Sequence, residues 1–204
     1  REQEFVDRGY CILHIDSSIP GIMKDVDQDK VQQVVTARRK ALEKFQNYTM
    51  ANLGQWSIVA IPNPEWALKV FPQEQPDTAV EMLWDAILAS VRIQDQQDPI
   101  PLWEKHNRQL SERNDWLNRQ RFAALHFKNQ KGTDLIVELA EGHLWEGGCE
   151  KSQSGVVFNP NMPTEENFTM PKRTGVRGKV QATKPLSYQG KLIQNFWIEF
   201  EEGK

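Results

Sequence analysis

The chain of 204 residues is long enough for one large domain or two small ones with a packed core. Its 25 basic and 28 acidic residues give a net charge of −3, which argues against nucleic acid or an anionic membrane as a partner. No apolar run approaches the roughly 20 residues of a transmembrane helix, and two cysteines in a chain of this size are typical of a reducing compartment. We therefore expect a cytoplasmic protein.

The first part of the chain alternates strand-like and helical segments. Residues 10–15 (YCILHI) predict a short strand, and residues 55–61 (QWSIVAI) predict a second, buried strand. Between them, apolar residues at helical spacing from Val31 to Phe45 predict a helix that ends before Gly54.

Three further helices are predicted after the second strand. In the first, Asn63 suits the N-cap, Pro64 the first helical position, and Pro72 ends the segment. The second carries an unbroken apolar stripe formed by Val80, Leu83, Trp84, Ile87, Leu88 and Val91. The third follows PIP and uses Trp103, His106, Leu110 and Leu117. The order strand, helix, strand, helix, helix indicates an α/β arrangement.

The second part of the chain is rich in predicted strands. Residues 122–127 and 134–139 flank a loop that contains glycine, which predicts a β-hairpin. Residues 176–200 alternate strand-like segments with turns such as SYQGK, which predicts an antiparallel meander. We therefore predict a mixed α/β protein with an α/β domain at residues 1–121 and a β-rich domain at residues 122–204.

Few residues have the spacing of a metal or catalytic site. His14, His106 and His126 are isolated from one another in the sequence, so a structural or surface role is favoured for each. Residues 141–150 (EGHLWEGGCE) hold a histidine, a cysteine and three carboxylates, but their spacing matches no zinc pattern. A polar loop is the ordinary interpretation, with a ligand role left open.

A pair of carboxylates, Glu165 and Glu166, lies between Pro163 and Pro171. The ordinary interpretation is a solvated turn. Adjacent side chains on an extended segment point to opposite sides, so one carboxylate could turn inward while the other faces solvent. Flanking prolines restrict the backbone, which helps to hold an oxygen about 2.0–2.2 Å from a metal ion. The pattern therefore permits a metal ligand beside the plain turn.

Residues 158–171 (FNPNMPTEENFTMP) and 183–196 (TKPLSYQGKLIQNF) resemble the thermophilic-type metallo-aminopeptidases, the family of aminopeptidase T, aminopeptidase S and PepS. QWSIVAIPNPEWALKVFP, MLWDAIL and FAALHFKNQKGTDLIVELAEGHLW agree with the same family. The resemblance covers nearly the whole chain in order, and the block NMPTEE with KPLSY downstream is highly specific.

The resemblance implies an enzyme that removes N-terminal amino acids from peptides with two divalent metal ions, which could be zinc, cobalt, manganese or magnesium. The second glutamate of the family's PTEE motif is a metal ligand, and that position is Glu166. Glu165 would either face solvent or contact Glu166 without binding the metal itself. The resemblance also implies a homodimer that encloses the active sites.

The family's other ligands are a second Glu, two His and an Asp, with a Tyr nearby, and they would follow Lys204. We therefore expect an internal fragment that has no peptidase activity by itself, because a catalytic zinc typically needs three protein ligands. A non-catalytic binding module that retains the fold is the alternative.

Overall fold

The computed structural model describes residues 2–188 and 191–204. The chain forms two compact units, each built from two separate stretches. The first unit comprises Arg1–Asn107 and Gly148–Thr164, and the second comprises Arg108–Gly147 and Glu165–Lys204. The division of the chain into an α/β domain at residues 1–121 and part of a β-rich domain at residues 122–204 stays a prediction.

The described residues contain both helices and strands, which confirms the mixed α/β class. The helices are α1 (Glu2–Asp7), α2 (Gln28–Ala41), α3 (Glu43–Met50), α4 (Pro64–Val70), α5 (Pro76–Ser90) and α6 (Pro99–Gln120). The strands are β1 (Ile12–Asp16), β2 (Trp56–Ala60), β3 (Ala124–Lys128), β4 (Asp134–Leu139), β5 (Glu150–Lys151), β6 (Val157–Phe158), β7 (Pro171–Gln181), β8 (Leu186–Tyr188), β9 (Lys191–Ile193) and β10 (Trp197–Phe200). No described helix combines the length and apolar character of a membrane span.

The two strands predicted in the first unit are present and pair in parallel, with Ile12 opposite Trp56 and Asp16 opposite Ala60. The prediction that the second strand is buried is wrong, because the residues of β2 are only half-buried and Ile58 is exposed. Among the described residues β1 is the one strand paired with β2. On the other side of β2, Ile58 forms an isolated parallel bridge with Asn161: its amide donates to the Pro160 carbonyl at 2.8 Å, and its carbonyl accepts from the Met162 amide at 3.0 Å.

The helix predicted between the two strands is divided in two. Leu42 separates α2 from α3, and its backbone angles of φ −108° and ψ 18° are not helical. Asp27 caps the start of α2 by accepting hydrogen bonds from the amides of Asp29 and Lys30. The apolar spacing therefore identified helical structure but not the interruption.

The core of the first unit lies between α4 and α5. Asn63 accepts a hydrogen bond from the Trp66 amide at 2.8 Å, and Pro64 occupies the first turn, as predicted. Ala67, Ala79 and Leu83 are buried together, and partly buried side chains surround them: Trp66, Leu68, Phe71, Val80 and Ile87. The predicted α5 stripe thus faces a core, although Trp84 at its margin is exposed.

The second unit contains a four-stranded antiparallel sheet in the order β10-β7-β4-β3. The predicted hairpin is β3 and β4, with Ala124 opposite Glu138 and Lys128 opposite Asp134. The predicted meander is present in β7 and β10, but β8 and β9 form a separate two-stranded sheet between them in sequence. Gln189 and Gly190 of the predicted SYQGK turn lie outside the described residues.

Candidate functional site

The predicted metal ligand lies on a segment without regular secondary structure. Glu165 and Glu166 are both exposed and follow the cis peptide bond between Met162 and Pro163. Two residues further on, Phe168 forms an isolated antiparallel bridge with Glu146. The Glu146 amide donates to the Phe168 carbonyl at 2.9 Å, and the Phe168 amide donates to the Glu146 carbonyl at 2.8 Å. The bridge fixes the backbone shortly after Glu166.

Asn167 ties the residue after Glu166 to helix α6. Its half-buried side-chain amide donates to the Leu110 carbonyl at 3.0 Å and to Oδ1 of Asn114 at 2.6 Å. A side-chain amide that bonds a helix carbonyl and a helix side chain holds its own backbone in place. Asn167 therefore anchors residues 165–168, called the Glu166 segment below, by polar contacts.

Gly147 makes the closest backbone approach to the same segment. A Cβ atom at Gly147 would overlap the carbonyl oxygen of Glu166 and lie 3.1 Å from Cα of Asn167, and the φ of Gly147 is +146°. Only glycine fits such a contact without a shift of the backbone. The sequence showed Gly147 in a polar loop but gave no sign that this loop lies against the PTEE motif.

Within the first unit, the residue that precedes the two glutamates is also held. Thr164 is buried, and its carbonyl accepts a hydrogen bond from Nε2 of His106 at 2.6 Å. Since a carbonyl can only accept, Nε2 carries the proton, and Nδ1 is left to accept from Nη2 of Arg92 at 3.0 Å. His106 thus has a structural role in these contacts, in keeping with the sequence-based interpretation.

His126 and His143 contact protein groups. Nε2 of His126 lies 2.7 Å from Asp134, and Nδ1 of His143 lies 2.8 Å from the Ala140 carbonyl. The hydrogen bond from His126, reinforced by Lys128, lowers the pKa of the Asp134 carboxyl. In the part of the chain that the structure describes, no three His, Cys, Asp or Glu side chains converge as a metal cluster.

A cleft of about 1030 Å³ lies in the second unit and does not include Glu166. Its lining includes Arg121, Phe122, Glu138, His143, Lys172 and Arg173. Lys172 and Arg177 donate to Glu138 at 3.2 and 2.9 Å, which lowers the pKa of that carboxyl. The cleft and the predicted ligand are therefore separate features of the second unit.

The donor chemistry at Glu166 suits one ligand of a divalent ion. Its carboxylate is exposed, and the backbone on its C-terminal side is fixed by Asn167 and by the bridge at Phe168. Carboxylate oxygens bind zinc as well as the harder divalent ions. The described residues do not supply the rest of a ligand set around it.

Comparison with known proteins identifies the family. The model of the thermophilic metalloprotease family (M29) matches residues 1–204. The chain belongs to the thermophilic metalloprotease family. The match confirms the resemblance seen in the PTEE and KPLSY blocks, because it extends over the whole chain.

Individual members of the thermophilic metalloprotease family are similar to the chain over nearly its full length. Aminopeptidase 2 of Geobacillus stearothermophilus is 41% identical over 202 residues, covering 99% of this chain and 48% of that protein. Aminopeptidase T of Thermus thermophilus is 42% identical over 195 residues, covering 96% and 47%. Aminopeptidase PepS of Streptococcus thermophilus is 36% identical, covering 94% and 46%. The chain therefore spans about half the length of these relatives.

A solved structure in the same family supports the fold. Wild-type AmpT from Thermus thermophilus superimposes with a TM-score of 0.88 at 38% identity, covering 98% of this chain and 49% of that chain. The fold of the described residues is therefore that of the corresponding half of a thermophilic metalloprotease.

Proposed function

We propose that the intact protein is a cytoplasmic, metal-dependent aminopeptidase that removes N-terminal amino acids from peptides. The observation that carries the proposal is the match of the whole chain to the thermophilic metalloprotease family, whose similar members are named aminopeptidases. A structure of the same fold at 38% identity adds support.

Glu166 is the residue of this chain that we propose as a metal ligand. It is the second glutamate of PTEE, it is exposed, and the bonds of Asn167 and Phe168 hold the backbone next to it. Two divalent ions, when bound, would supply a water of lowered pKa as the nucleophile. The contribution of Glu166 is to hold a carboxylate oxygen where one of those ions binds.

Two further parts of the proposal concern the activity of residues 1–204 by themselves and the oligomeric state of the intact protein. We propose that residues 1–204 alone lack peptidase activity, since three protein ligands are typical of a catalytic zinc and this chain contributes Glu166. We also propose that the intact protein forms a homodimer, which light scattering of the purified protein would test directly.

The decisive experiment is hydrolysis of leucyl-p-nitroanilide by the full-length protein with and without chelator. Glu166→Gln removes the charge but preserves size, and Glu165→Gln is the matched control one residue away. We expect chelator to abolish activity, Glu166→Gln to lower kcat/KM by at least about 100-fold, and Glu165→Gln to have a smaller effect.

The opposite results would overturn the proposal. Equal losses in the two variants would remove the special role of Glu166. A folded full-length protein without activity under any divalent metal would instead favour the binding-module interpretation. Peptidase activity of the 204-residue chain at the rate of the intact protein would contradict the predicted inactivity of the fragment.

A further inference from the structure

Asn114 of α6 joins two backbone segments at the predicted ligand. Its Nδ2 donates to the Gly147 carbonyl at 3.1 Å, and its Oδ1 accepts from Nδ2 of Asn167 at 2.6 Å. Gly147 in turn lies against the Glu166 carbonyl. One side chain therefore bonds the residue after Glu166 and the glycine against which the Glu166 backbone rests.

Asn118, one turn further along the same helix, provides an internal comparison. Its Nδ2 donates to the Trp145 carbonyl at 3.1 Å, and its Oδ1 accepts from the Trp145 amide at 2.7 Å. Asn118 thus bonds the same loop with the same chemistry and the same number of hydrogen bonds. The difference is that its two bonds go to Trp145 alone, whereas those of Asn114 include the Glu166 segment.

We propose that Asn114 is a positioning residue for metal binding at Glu166, an inference that rests on the proposed function of Glu166. Asn114 is not itself proposed as a metal ligand. It fixes the backbone on both sides of the contact between Gly147 and Glu166, so that the exposed carboxylate is presented from a rigid support. Groups that orient a metal ligand commonly change metal affinity by 10–100-fold when they are removed.

The physical reason is the loss of two partners at once. Truncation of Asn114 to alanine leaves the Gly147 carbonyl without its side-chain donor and leaves the Asn167 amide with only the Leu110 carbonyl. The bridge between Glu146 and Phe168 remains, so the segment stays folded but gains freedom at Glu166. Metal binding must then order the segment, which weakens the affinity.

The test measures Zn²⁺ binding to the metal-free full-length protein by competition with a chromogenic chelator, in the absence of substrate. We expect Asn114→Ala to weaken Zn²⁺ binding by about 10–100-fold. Asn118→Ala, the matched control, is expected to weaken it by less than about threefold even if both variants lose similar thermal stability. Activity of Asn114→Ala at saturating Zn²⁺ should return toward that of the unmodified protein.

Equal weakening by Asn114→Ala and Asn118→Ala, or no weakening by Asn114→Ala, would overturn the inference. Glu166→Gln distinguishes this failure from failure of the proposed function, since an unchanged Zn²⁺ affinity in that variant would remove Glu166 as a ligand altogether. If Asn114→Ala does not fold, Asn114→Asp carries the test. It retains the acceptor for Asn167 and loses the donor to Gly147, so we expect an intermediate loss of affinity, and an unchanged affinity would contradict the proposal.

Discussion

The α4–α5 pair of the first unit and the Glu166 segment of the second unit are held by different forces. Ala67, Ala79 and Leu83 are buried against one another and surrounded by larger apolar side chains. The Glu166 segment, in contrast, is held through the hydrogen bonds of Asn167, Asn114 and the bridge at Phe168. A segment that must expose a carboxylate cannot be fixed by burying it, so directional polar contacts perform that task.

The largest expected effect comes from cutting the apolar core. Leu83 is 4% exposed, and Leu83→Ala is expected to lower the free energy of unfolding by about 2–5 kcal/mol, because it removes buried methyl groups and leaves a cavity. Thermal and urea unfolding of the full-length protein would measure it. The adjacent, exposed Met82 is the control, and a cost for Met82→Ala as large as that for Leu83→Ala would contradict the assignment of the core.

The next largest effect tests the polar region by steric means. Gly147→Ala places a methyl group against the Glu166 carbonyl. We expect it to lower the free energy of unfolding by about 3 kcal/mol and to weaken Zn²⁺ binding. Gly142→Ala in the same loop is the control, since Gly142 also has a positive φ but has no atom within 4 Å of the added Cβ. Similar Zn²⁺ affinities for the two variants would show that the close approach at Gly147 does not position Glu166.

A smaller effect is expected at Asn63, an asparagine in the first unit that forms hydrogen bonds away from the Glu166 segment. Asn63 caps α4 and donates to the Ser17 carbonyl at 2.8 Å. Asn63→Ala is expected to lower the free energy of unfolding by about 1 kcal/mol and to leave Zn²⁺ affinity unchanged. Asn63→Asp retains the acceptor for the helix amide and should recover part of that loss in thermal unfolding. No recovery would assign the role of Asn63 to the contact with Ser17 instead.

The smallest effect concerns the surface ion pairs of Glu138. Lys172 and Arg177 lower the pKa of this carboxyl, so their contribution to stability is fully present above its ordinary value of 4.5 and declines as the pH falls through the lowered value. Glu138→Gln should therefore make the melting temperature fall less steeply as the pH is lowered below about 4.5, and should leave Zn²⁺ affinity unchanged. High salt should shrink the difference between the two proteins, because exposed pairs are screened. An identical acid profile for the two proteins would contradict the role of these pairs.

The sequence predicted the elements better than their surroundings. Asn63, Pro64 and the α5 stripe located two helices correctly, because caps and periodicity are local signals. The same reasoning missed the interruption at Leu42, because apolar spacing continues across it. It also missed the exposure of β2, because the covering of a strand depends on neighbours distant in sequence.

By itself the sequence determined the mixed α/β class, the family, and the PTEE motif that makes Glu166 the proposed ligand, since these depend on residue order and local spacing. Only the tertiary structure brought Gly147 against Glu166 and placed Asn114 between Gly147 and Asn167. The two residues that bond Asn114, Gly147 and Asn167, lie 33 and 53 positions from it in the chain. No periodicity or motif reports such contacts, because folding alone decides which distant backbone atoms a short amide side chain can reach.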